Sequence, residues 1–506
     1  MCANILLVLP NNLGDVIMAA PVLSGLKHSF AGCRASFLVE DGFEGGLTGN
    51  PFCDEIVRFP RRSLRDALHS KDWHAGLLQV RDAVSQISNS GFSRVVNLSQ
   101  AEYVSHLVSL VAAGEYAGRR FLAEGNHAVP DPWSQYLYAI PFARRQNAFH
   151  ATDIYRRIAG AGRTEARAVH LGDNERARAR DFLTQLGVDL SNRRIVVFQP
   201  GAAIPAKRWP ENSFVRLGIM LRDRGWHIVV SGAGAESETA LRIQKGIGEG
   251  CFCTAGATSF REAIANLSWA RACVSGDTAL MHAAAGIGVQ VFALFGATNP
   301  VETGPYGDGH WAFSAHCADR PCFCSECKSM LCMKAILPET VCNCIVSQSP
   351  GDRPRCDVYR TSINSGGDFA LLPAHHAAHG YWDPAGAACT RRLLDPACGM
   401  ENLDRQEVQI CIEQSREFTA ALAAIQRHLA DYLDTGDRKS IEAHEAIKAT
   451  LPADGSLAAF WTAILNLRLN SIPVLDPVAA VQASLAACAR TRTEIADVVA
   501  AAREGR

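Results

Sequence analysis

The chain has 506 residues, a formal net charge of −1 and 20% charged residues. This length is compatible with about three domains, and 48% hydrophobic residues argue against wholesale disorder. The near-neutral charge argues against a general nucleic-acid binder, which usually carries a basic excess. We therefore expect a globular protein that does not bind nucleic acid.

The N-terminal segment does not resemble a targeting sequence. Its first apolar run, Ile5–Leu9, ends at Pro10 and has no basic start before it, so no signal peptide is expected. The apolar stretch Ala279–Phe295 is interrupted by His282, Gln290 and two glycines, which favours a helix followed by a strand over a membrane span. The sequence therefore predicts a cytoplasmic protein.

Short apolar runs alternate with helical periodicity in the N-terminal half. The predicted strands are Ile5–Leu9, Ala35–Val39, Glu55–Phe59 and Arg94–Leu98. A helix is predicted over Asp15–Phe30, with a kink or break at Pro21. Such alternation predicts βαβ units around a parallel sheet.

A second α/β segment follows a boundary near Ser191. Its predicted strands are Ile195–Phe198, Trp226–Val230, Ala272–Ser275 and Val289–Phe295. Its predicted helices are Phe214–Arg224, Phe260–Ala270 and Thr278–Ala285. Two consecutive α/β domains fit several kinds of two-domain nucleotide-binding enzyme.

These patterns divide the chain into four predicted segments. Two Rossmann-like domains are expected over residues 1–185 and 186–345. Residues 346–403 are rich in Cys, Pro and Gly, show little periodicity and are predicted to form a connector. Residues 404–506 have apolar residues at helical spacing and are predicted to form a helical appendage.

Asp15 comes shortly after the first predicted strand and stands at the start of a helix. Ligands of parallel sheets lie beyond the carboxyl ends of the strands, so this carboxylate is a candidate general base. Gly14 beside it would allow a close approach to a substrate. The alternative is an acidic residue that only stabilises the helix N-terminus.

The loop Gln199–Pro210 carries Lys207 and Arg208 after a predicted strand. A lysine point charge and an arginine fork suit a phosphate-bearing ligand. The Pro-Gly pair in the same loop is also ordinary turn chemistry. Both interpretations stay open from the residues alone.

The segment Ser275–His282 runs from a predicted strand into a helix. The first turn of a helix presents free N–H groups to an anion, and Thr278 is placed to bind phosphate through its backbone and hydroxyl. Asp277 would cap the helix or fix the loop. His282 lies about one turn after Thr278, although a lone helical histidine is more often structural.

The turn Ser231–Glu236 resembles a dinucleotide fingerprint that lacks its third glycine. It is weak evidence for NAD binding, so an NAD-dependent oxidoreductase is the less favoured enzyme class. Glu236 is a candidate for hydrogen bonds to ribose hydroxyls instead.

The 18 cysteines are unevenly distributed, and eight of them lie between Cys317 and Cys356. Cys324 and Cys327 have the spacing of one metal knuckle. The residues that could complete a tetrahedral site are Cys332, Cys342, Cys344 and Cys356. A structural zinc or iron site, free packing thiols, and a disulfide or redox role are the alternatives.

Several ordered stretches together resemble glycosyltransferase family 9, the ADP-heptose heptosyltransferases of lipopolysaccharide synthesis. They are LGDVIMAAPVLSGLK at 13–27, NPFCDEIVRFP at 50–60, PGAAIPAKRWP at 200–210, SGDTALMHAAAGIGVQVFALFGATNP at 275–300, PYGDGH at 305–310 and CMKAILPETV at 332–341. The resemblance extends over residues 3–345. Each stretch is weak alone, but their order is specific.

The resemblance implies a GT-B fold, with an acceptor in the N-terminal domain and an ADP-sugar donor in the C-terminal one. Asp15 matches the family's acidic residue for the base. The positions that match the donor site are Lys207, Glu236, Asp277, Thr278, Leu280, Met281 and His282. The implied reaction moves heptose from ADP-heptose to a lipopolysaccharide-core or other surface-glycan acceptor, with inversion and without a catalytic metal or other cofactor.

The resemblance leaves the acceptor open between a glycan, a glycolipid and a protein, and it allows peripheral association with the inner membrane. A non-catalytic GT-B scaffold is a further alternative. Related autotransporter heptosyltransferases hold a cysteine-bound iron, which favours a structural zinc or iron ion here. The ligands expected for it are Cys324, Cys327, Cys332 and Cys342. One departure is Gly276, which stands where relatives often have a larger residue and predicts a looser donor loop.

Overall fold

The structure is a computed structural model. It describes residues 3–123, 125–142, 144–315, 322, 327, 331–352, 354–375, 389–392, 394, 405–435, 445–449, 451, 456–472 and 477–504. The chain divides into two compact units. The first comprises Met1–Ala83 and Phe149–Tyr381, and the second comprises Val84–Ala148 and Trp382–Arg506.

The regular elements are numbered in chain order. The strands are β1 (Asn4–Val8), β2 (Arg34–Glu40), β3 (Glu55–Phe59), β4 (Arg94–Asn97), β5 (Glu115–Ala117), β6 (Arg120–Phe121), β7 (His127–Ala128), β8 (Ile195–Gln199), β9 (His227–Val230), β10 (Cys251–Cys253), β11 (Ala272–Gly276), β12 (Gln290–Phe295), β13 (Trp311–Ser314), β14 (Asp357–Ile363) and β15 (Phe369–His375). The helices are α1 (Leu13–Ala19), α2 (Pro21–Ser29), α3 (Arg61–His69), α4 (Trp73–Asn89), α5 (Glu102–Leu110), α6 (Pro132–Ala139), α7 (Ala151–Ile158), α8 (Asp173–Gln185), α9 (Glu211–Arg222), α10 (Ser237–Ile247), α11 (Phe260–Leu267), α12 (Ala279–Gly286), α13 (Pro300–Thr303), α14 (Leu331–Ala335), α15 (Pro338–Ser347), α16 (Arg405–Thr435), α17 (Leu457–Asn470) and α18 (Pro477–Glu504).

All eight strands predicted from apolar runs are present, each within one or two residues of the predicted ends. The predicted break at Pro21 is also confirmed, because α1 ends at Ala19 and Pro21 is the first residue of α2. A proline is accommodated at that position because the first N–H groups of a helix have no partner within it. Within the described ranges, no helix combines the length and apolarity needed to cross a bilayer.

The first unit begins with three parallel strands, in which β1 pairs with β2 and β2 with β3. The helices α1 and α2 follow β1 directly. Asn4 lies opposite Arg34, and Ser36 lies opposite Glu55. This register places the end of β1, and therefore the start of α1, at the carboxyl edge of the strands.

The larger sheet of the first unit has the order β10-β9-β8-β11-β12-β13-β14-β15. From β8 the chain moves outward to β9 and β10, and it then returns to the other side of β8 as β11. The strand order therefore reverses between β8 and β11, where Gln199 lies opposite Ser275. Open α/β sheets bind their ligands at such a switch point.

Neighbouring residues of β8 contribute to different hydrophobic clusters. Val196 and Phe198 belong to one cluster, whereas Ile195 and Val197 belong to the other. Alternate side chains of a strand point to opposite faces of the sheet, so both faces of β8 are covered. This two-sided burial explains why the strand is an uninterrupted apolar run in the sequence.

The strands β14 and β15 lie in the segment predicted to be a connector, and no strand was predicted there. They extend the larger sheet as an antiparallel pair, with β14 against β13. β15 is at the sheet edge, carries several exposed side chains and contains Pro373. Proline is tolerated in an edge strand, but it breaks the sequence pattern on which strand prediction depends.

A buried ionic network connects this hairpin with α7. Asp153 of α7 accepts hydrogen bonds from the backbone N–H of Phe369 (2.8 Å) and from the hydroxyl of Tyr306 (3.0 Å). The carboxylate of Asp368 is ion-paired with both Arg156 and Arg157. The hairpin is therefore fixed to α7 by charge-assisted hydrogen bonds.

The second unit combines β4–β7, α5 and α6 with helices from the C-terminal segment. β4 and β5 are parallel, whereas β6 and β7 form an antiparallel pair. Phe460 of α17 packs edge-on against Tyr136 of α6, with ring centroids 5.6 Å apart. Arg468 of α17 has only 8% of its side chain exposed and is ion-paired with Glu494 of α18.

Candidate active site

The candidate site lies at the strand ends of the first unit, where α1 and α12 begin. A Cβ atom added to Gly14 would lie 3.4 Å from Cδ2 of His282. The small residue therefore allows the start of α1 to approach α12 closely. This packing brings Asp15 near Lys207, Asp277 and His282, the three predicted site residues that influence its ionisation.

Asn12 positions the carboxylate of Asp15. Its side-chain Nδ2 donates a hydrogen bond to Oδ2 of Asp15 over 3.1 Å. Asn12 has φ 66°, a left-handed conformation that asparagine adopts more readily than most residues. Asn12 is not among the predicted site residues. The Asn-Asn pair soon after the first strand is a turn signal, but it does not reveal the contact with Asp15.

Burial raises the pKa of Asp15 from 3.8 to about 6. The negative charge of Asp277 acts in the same direction, whereas the Asn12 hydrogen bond and the nearby His282 and Lys207 oppose the rise. Asp15 is therefore ionised at neutral pH but binds a proton more strongly than an ordinary aspartate. Both properties are required of a general base near neutral pH.

Asp277 lies between two other predicted site residues, Lys207 and His282. Nζ of Lys207 lies 2.8 Å from Oδ2 of Asp277, and Nε2 of His282 lies 3.5 Å from Oδ1. Although burial alone would raise the pKa of Asp277, the Lys207 ammonium and His282 hold it well below its ordinary value. The carboxylate thus stays charged and fixes the ammonium at the end of the sheet.

The backbone at Gly276 explains how Lys207 reaches Asp277. A Cβ atom at Gly276 would lie 2.6 Å from the carbonyl oxygen of Lys207, which is too close for any side chain. The missing side chain therefore lets the Lys207 loop pack directly on the end of β11. The looser loop expected from Gly276 is not what the structure has, because the glycine closes the packing.

Thr278 is the N-cap residue of α12. Its Oγ1 accepts a hydrogen bond from the backbone N–H of Met281 (3.4 Å) and lies 2.9 Å from Oγ of Ser275. Ser275 in turn donates to the carbonyl oxygen of Gly276 over 2.8 Å. This chain of hydrogen bonds fixes the start of α12, whose partial positive charge favours an anion.

Leu280 and Met281 have 5% and 0% exposure, and both side chains lie in the hydrophobic core. Of the seven predicted donor-site residues, these two could therefore contact a ligand only through their backbone. Their apolar side chains stabilise the turn that Thr278 begins.

Glu236 lies at the ends of β8 and β9. Its Oε2 accepts hydrogen bonds from Nε2 of Gln199 (3.1 Å) and from the backbone N–H of Ala233 (2.8 Å). A Cβ atom at Gly201 would overlap the Glu236 carboxylate. The carboxylate therefore lies against the backbone of the Lys207 loop. Gln199, which is not among the predicted site residues, holds it there.

The described cysteines of the cluster are mostly buried thiols. Cys332, Cys342 and Cys344 have between 0% and 6% exposure, and burial raises the pKa values of Cys342 and Cys344 above the ordinary range. Cys324 lies outside the described residues. Across the rest of the cluster that the structure describes, no cysteine joins a group of three or more close metal-ligating side chains, so the metal site stays a prediction. Elsewhere, Cys389 is disulfide-bonded.

The fold has a counterpart among solved structures. The structure of Escherichia coli ADP-heptose lps heptosyltransferase II matches with a TM-score of 0.51 and 17% identity, covering 68% of this chain and 99% of that one. This similarity shows the fold, and the predicted GT-B class is confirmed.

Sequence comparisons match part of the chain to glycosyltransferases. Residues 144–332 match the sequence model of glycosyltransferase family 9 (heptosyltransferase). Lipopolysaccharide heptosyltransferase 1 of Pseudomonas aeruginosa is 26% identical over 329 residues, which cover 64% of this chain and 87% of that protein. These matches support an enzyme of the glycosyltransferase class, and the chain continues beyond the matched region.

A stronger but shorter similarity connects the chain with lipooligosaccharide heptosyltransferase 2 of Haemophilus influenzae. The two proteins are 34% identical over 124 residues, which cover 24% of this chain. The match spans 36% of the Haemophilus protein.

Proposed function

We propose that the protein transfers heptose from ADP-heptose to a lipopolysaccharide-core or other surface-glycan acceptor, with inversion at the anomeric carbon. The observation that carries the proposal is the pairing of a raised-pKa carboxylate, Asp15, with the Asp277-bound ammonium of Lys207 at the strand ends. The first is suited to accept a proton and the second to stabilise a departing diphosphate.

In the proposed reaction, Asp15 removes the proton from an acceptor hydroxyl as its oxygen attacks the anomeric carbon of the donor. The new C–O bond forms as the bond between that carbon and the diphosphate oxygen breaks. The electron pair leaves with ADP, whose charge is stabilised by Lys207 and by the N-terminus of α12. Attack opposite the leaving group inverts the configuration.

The other predicted residues take supporting roles in donor binding. Glu236 is proposed to bind the ribose hydroxyls because its carboxylate is fixed at the strand ends beside the Lys207 loop. Thr278 would bind phosphate where α12 begins, and His282 would keep Asp277 in position. The proposed domains are residues 1–185 for the acceptor and 186–345 for the donor.

The setting proposed for this reaction is the cytoplasm, with peripheral contact to the inner membrane if the acceptor is a glycolipid. No cofactor is assigned to catalysis, because fixed cations and a helix terminus stabilise the leaving group. A protein acceptor and a non-catalytic scaffold are the alternative outcomes of the experiment below.

The test is incubation of the full chain with ADP-heptose and with defined glycan, glycolipid and protein acceptors, followed by mass spectrometry. The proposal expects one added heptose on a glycan or glycolipid, together with release of ADP. Heptose found only on the protein acceptor would identify a protein, and not a glycan or glycolipid, as the acceptor. Calorimetric binding of neither ADP nor ADP-heptose would contradict the enzyme and favour the scaffold, and binding of NAD alone would favour an oxidoreductase.

A further inference from the structure

The second unit contains a group of metal-ligating side chains that the proposed reaction does not use. Glu102 and His106 lie one turn apart on α5, and His127 lies on β7. One ligand atom from each of the three residues lies within 4.8 Å of the other two. Among the residues that the structure describes, no second group of this kind occurs.

Phe121 and the β6–β7 pair hold the two imidazole rings. Phe121 lies directly opposite His127 in the pair. The Phe121 ring is 4.4 Å from the ring of His106 and 5.1 Å from that of His127, centroid to centroid. Gly125, with φ 88°, provides the left-handed turn that closes the hairpin. The rings are thus oriented by packing.

Direct hydrogen bonding within the group is weak. Nε2 of His127 lies 3.6 Å from Oε1 of Glu102, which is longer than a good hydrogen bond. The buried Nδ1 of His127 has no hydrogen-bond partner in the described part of the chain. Nε2 of His127 therefore faces the Glu102 carboxylate without a good hydrogen bond to it, as expected of two ligands around an unfilled position.

We propose that Glu102, His106 and His127 bind a divalent transition-metal ion, with zinc as the best-suited ion. Two imidazoles and one carboxylate form a donor set that zinc accepts, with a fourth position left for water or an anionic group. Donors around tetrahedral zinc are roughly 3.3 Å apart. A rotation of the exposed Glu102 side chain towards the two rings would close the gap.

The charges around the group suit a divalent ion. Arg119 is close enough to act on His127, and Glu102 supplies a negative charge that offsets it. The bound ion would fix α5 to the β6–β7 hairpin, independently of the transfer reaction.

The test is titration of the full, reduced chain with Co²⁺, whose visible absorption reports tetrahedral ligation. Three proteins are compared: the unaltered chain, the double variant His106→Ala/His127→Ala, and His74→Ala, which removes an exposed histidine from α4. Cysteine ligation would be common to all three and is recognised by its thiolate-to-cobalt charge-transfer band. The difference between proteins therefore reports the histidine site.

The proposal expects the unaltered chain and His74→Ala to bind one more equivalent of Co²⁺ than the double variant. The lost absorption should lack the thiolate band and should be displaced by Zn²⁺. Equal stoichiometry and equal spectra for all three proteins would overturn the proposal.

If circular dichroism shows that the double variant is unfolded, the variant Glu102→Gln is used instead. It removes the charge of one ligand and keeps the size of the side chain. It should weaken Co²⁺ binding about tenfold or more, and unchanged affinity would overturn the site.

Discussion

Asp15 has a carboxylate whose pKa is raised to about 6 by burial. If it is the base, turnover requires its ionised form. We therefore expect kcat/KM to be constant at neutral pH and to fall about tenfold for each further pH unit below about 6. A pH–rate profile measures this directly. A profile that stays flat down to the ordinary aspartate range near 3.8 would contradict the assigned pKa.

The burial of Asp15 also predicts a pH dependence of stability. As the pH falls below about 6, activity should decrease, whereas the free energy of unfolding should gain a contribution from this residue. Because the folded-state pKa lies above the ordinary value, the folded protein binds the proton more strongly than the unfolded chain. Ionised Asp15 therefore destabilises the fold at neutral pH, and the effect disappears as the pH falls from about 6 towards 3.8.

Asp15→Asn is neutral at every pH and should stabilise the protein at pH 7, by an amount on the order of 1–3 kcal/mol. Denaturant unfolding at pH 7 and again at low pH measures it. The difference in the free energy of unfolding should shrink in acid, because Asp15 of the unaltered protein is then protonated and also neutral. A variant that is less stable than the unaltered protein at pH 7 would argue that Asp15 has structural contacts beyond its bond with Asn12.

At the scale of elements, the Lys207 loop and the β9 turn meet where the Glu236 carboxylate lies over Gly201. Gly201→Ala should displace this carboxylate, which is the far end of a flexible side chain, and leave the fold intact. ADP affinity should fall about tenfold, as expected for the loss of a charged hydrogen-bond acceptor. Calorimetry with ADP provides the measurement.

Gly234→Ala is the matched control for that experiment. It makes the same change in the neighbouring turn, where an added Cβ atom meets nothing within 4 Å and the backbone has no left-handed φ. Its ADP affinity should equal that of the unaltered protein. Equal losses in both variants would point to a general effect on the turns rather than to the position of Glu236.

The β14–β15 hairpin depends on Asp368, which faces Arg156 and Arg157. Asp368→Asn leaves two arginines, with 9% and 17% of their side chains exposed, without their shared counter-ion. We expect the free energy of unfolding to fall by about 2 kcal/mol. Glu238→Gln removes an ion pair whose acidic side chain is 89% exposed and should change stability little. Similar losses in the two variants would contradict a special role for the hairpin pair.

At the scale of the whole molecule, the C-terminal helices are part of the second unit rather than a separate body. Tyr136 is 1% exposed and packs against Phe460. A chain that ends at residue 403 would expose this side of α6, and we expect it to aggregate or to lose cooperative unfolding. Circular dichroism and light scattering test the expectation. A truncated chain that melts like the full one would show that residues 84–148 fold without these helices.

Strand positions could be predicted because strands buried on both faces leave uninterrupted apolar runs, as in β8. The position of the edge strand β15 could not be predicted, since its exposed residues and Pro373 lack that pattern.

The candidate site residues Asp15, Lys207 and Asp277 could be selected from the sequence, because each is a charged residue in a loop or helix start that follows a strand. Asn12 and Gln199 could not, because their importance comes from contacts with Asp15 and Glu236 that exist only in the folded chain.

The central claim is that Asp15 removes the proton from the acceptor hydroxyl, whereas Lys207 and the start of α12 bind the diphosphate of the donor. The most direct measurement is single-turnover transfer from ADP-heptose by Asp15→Asn, with ADP-heptose affinity determined on the same preparation. We predict a loss of rate of about a hundredfold or more, as expected for general-base catalysis, at nearly unchanged donor affinity. Turnover close to that of the unaltered enzyme, with donor binding and folding intact, would contradict the account.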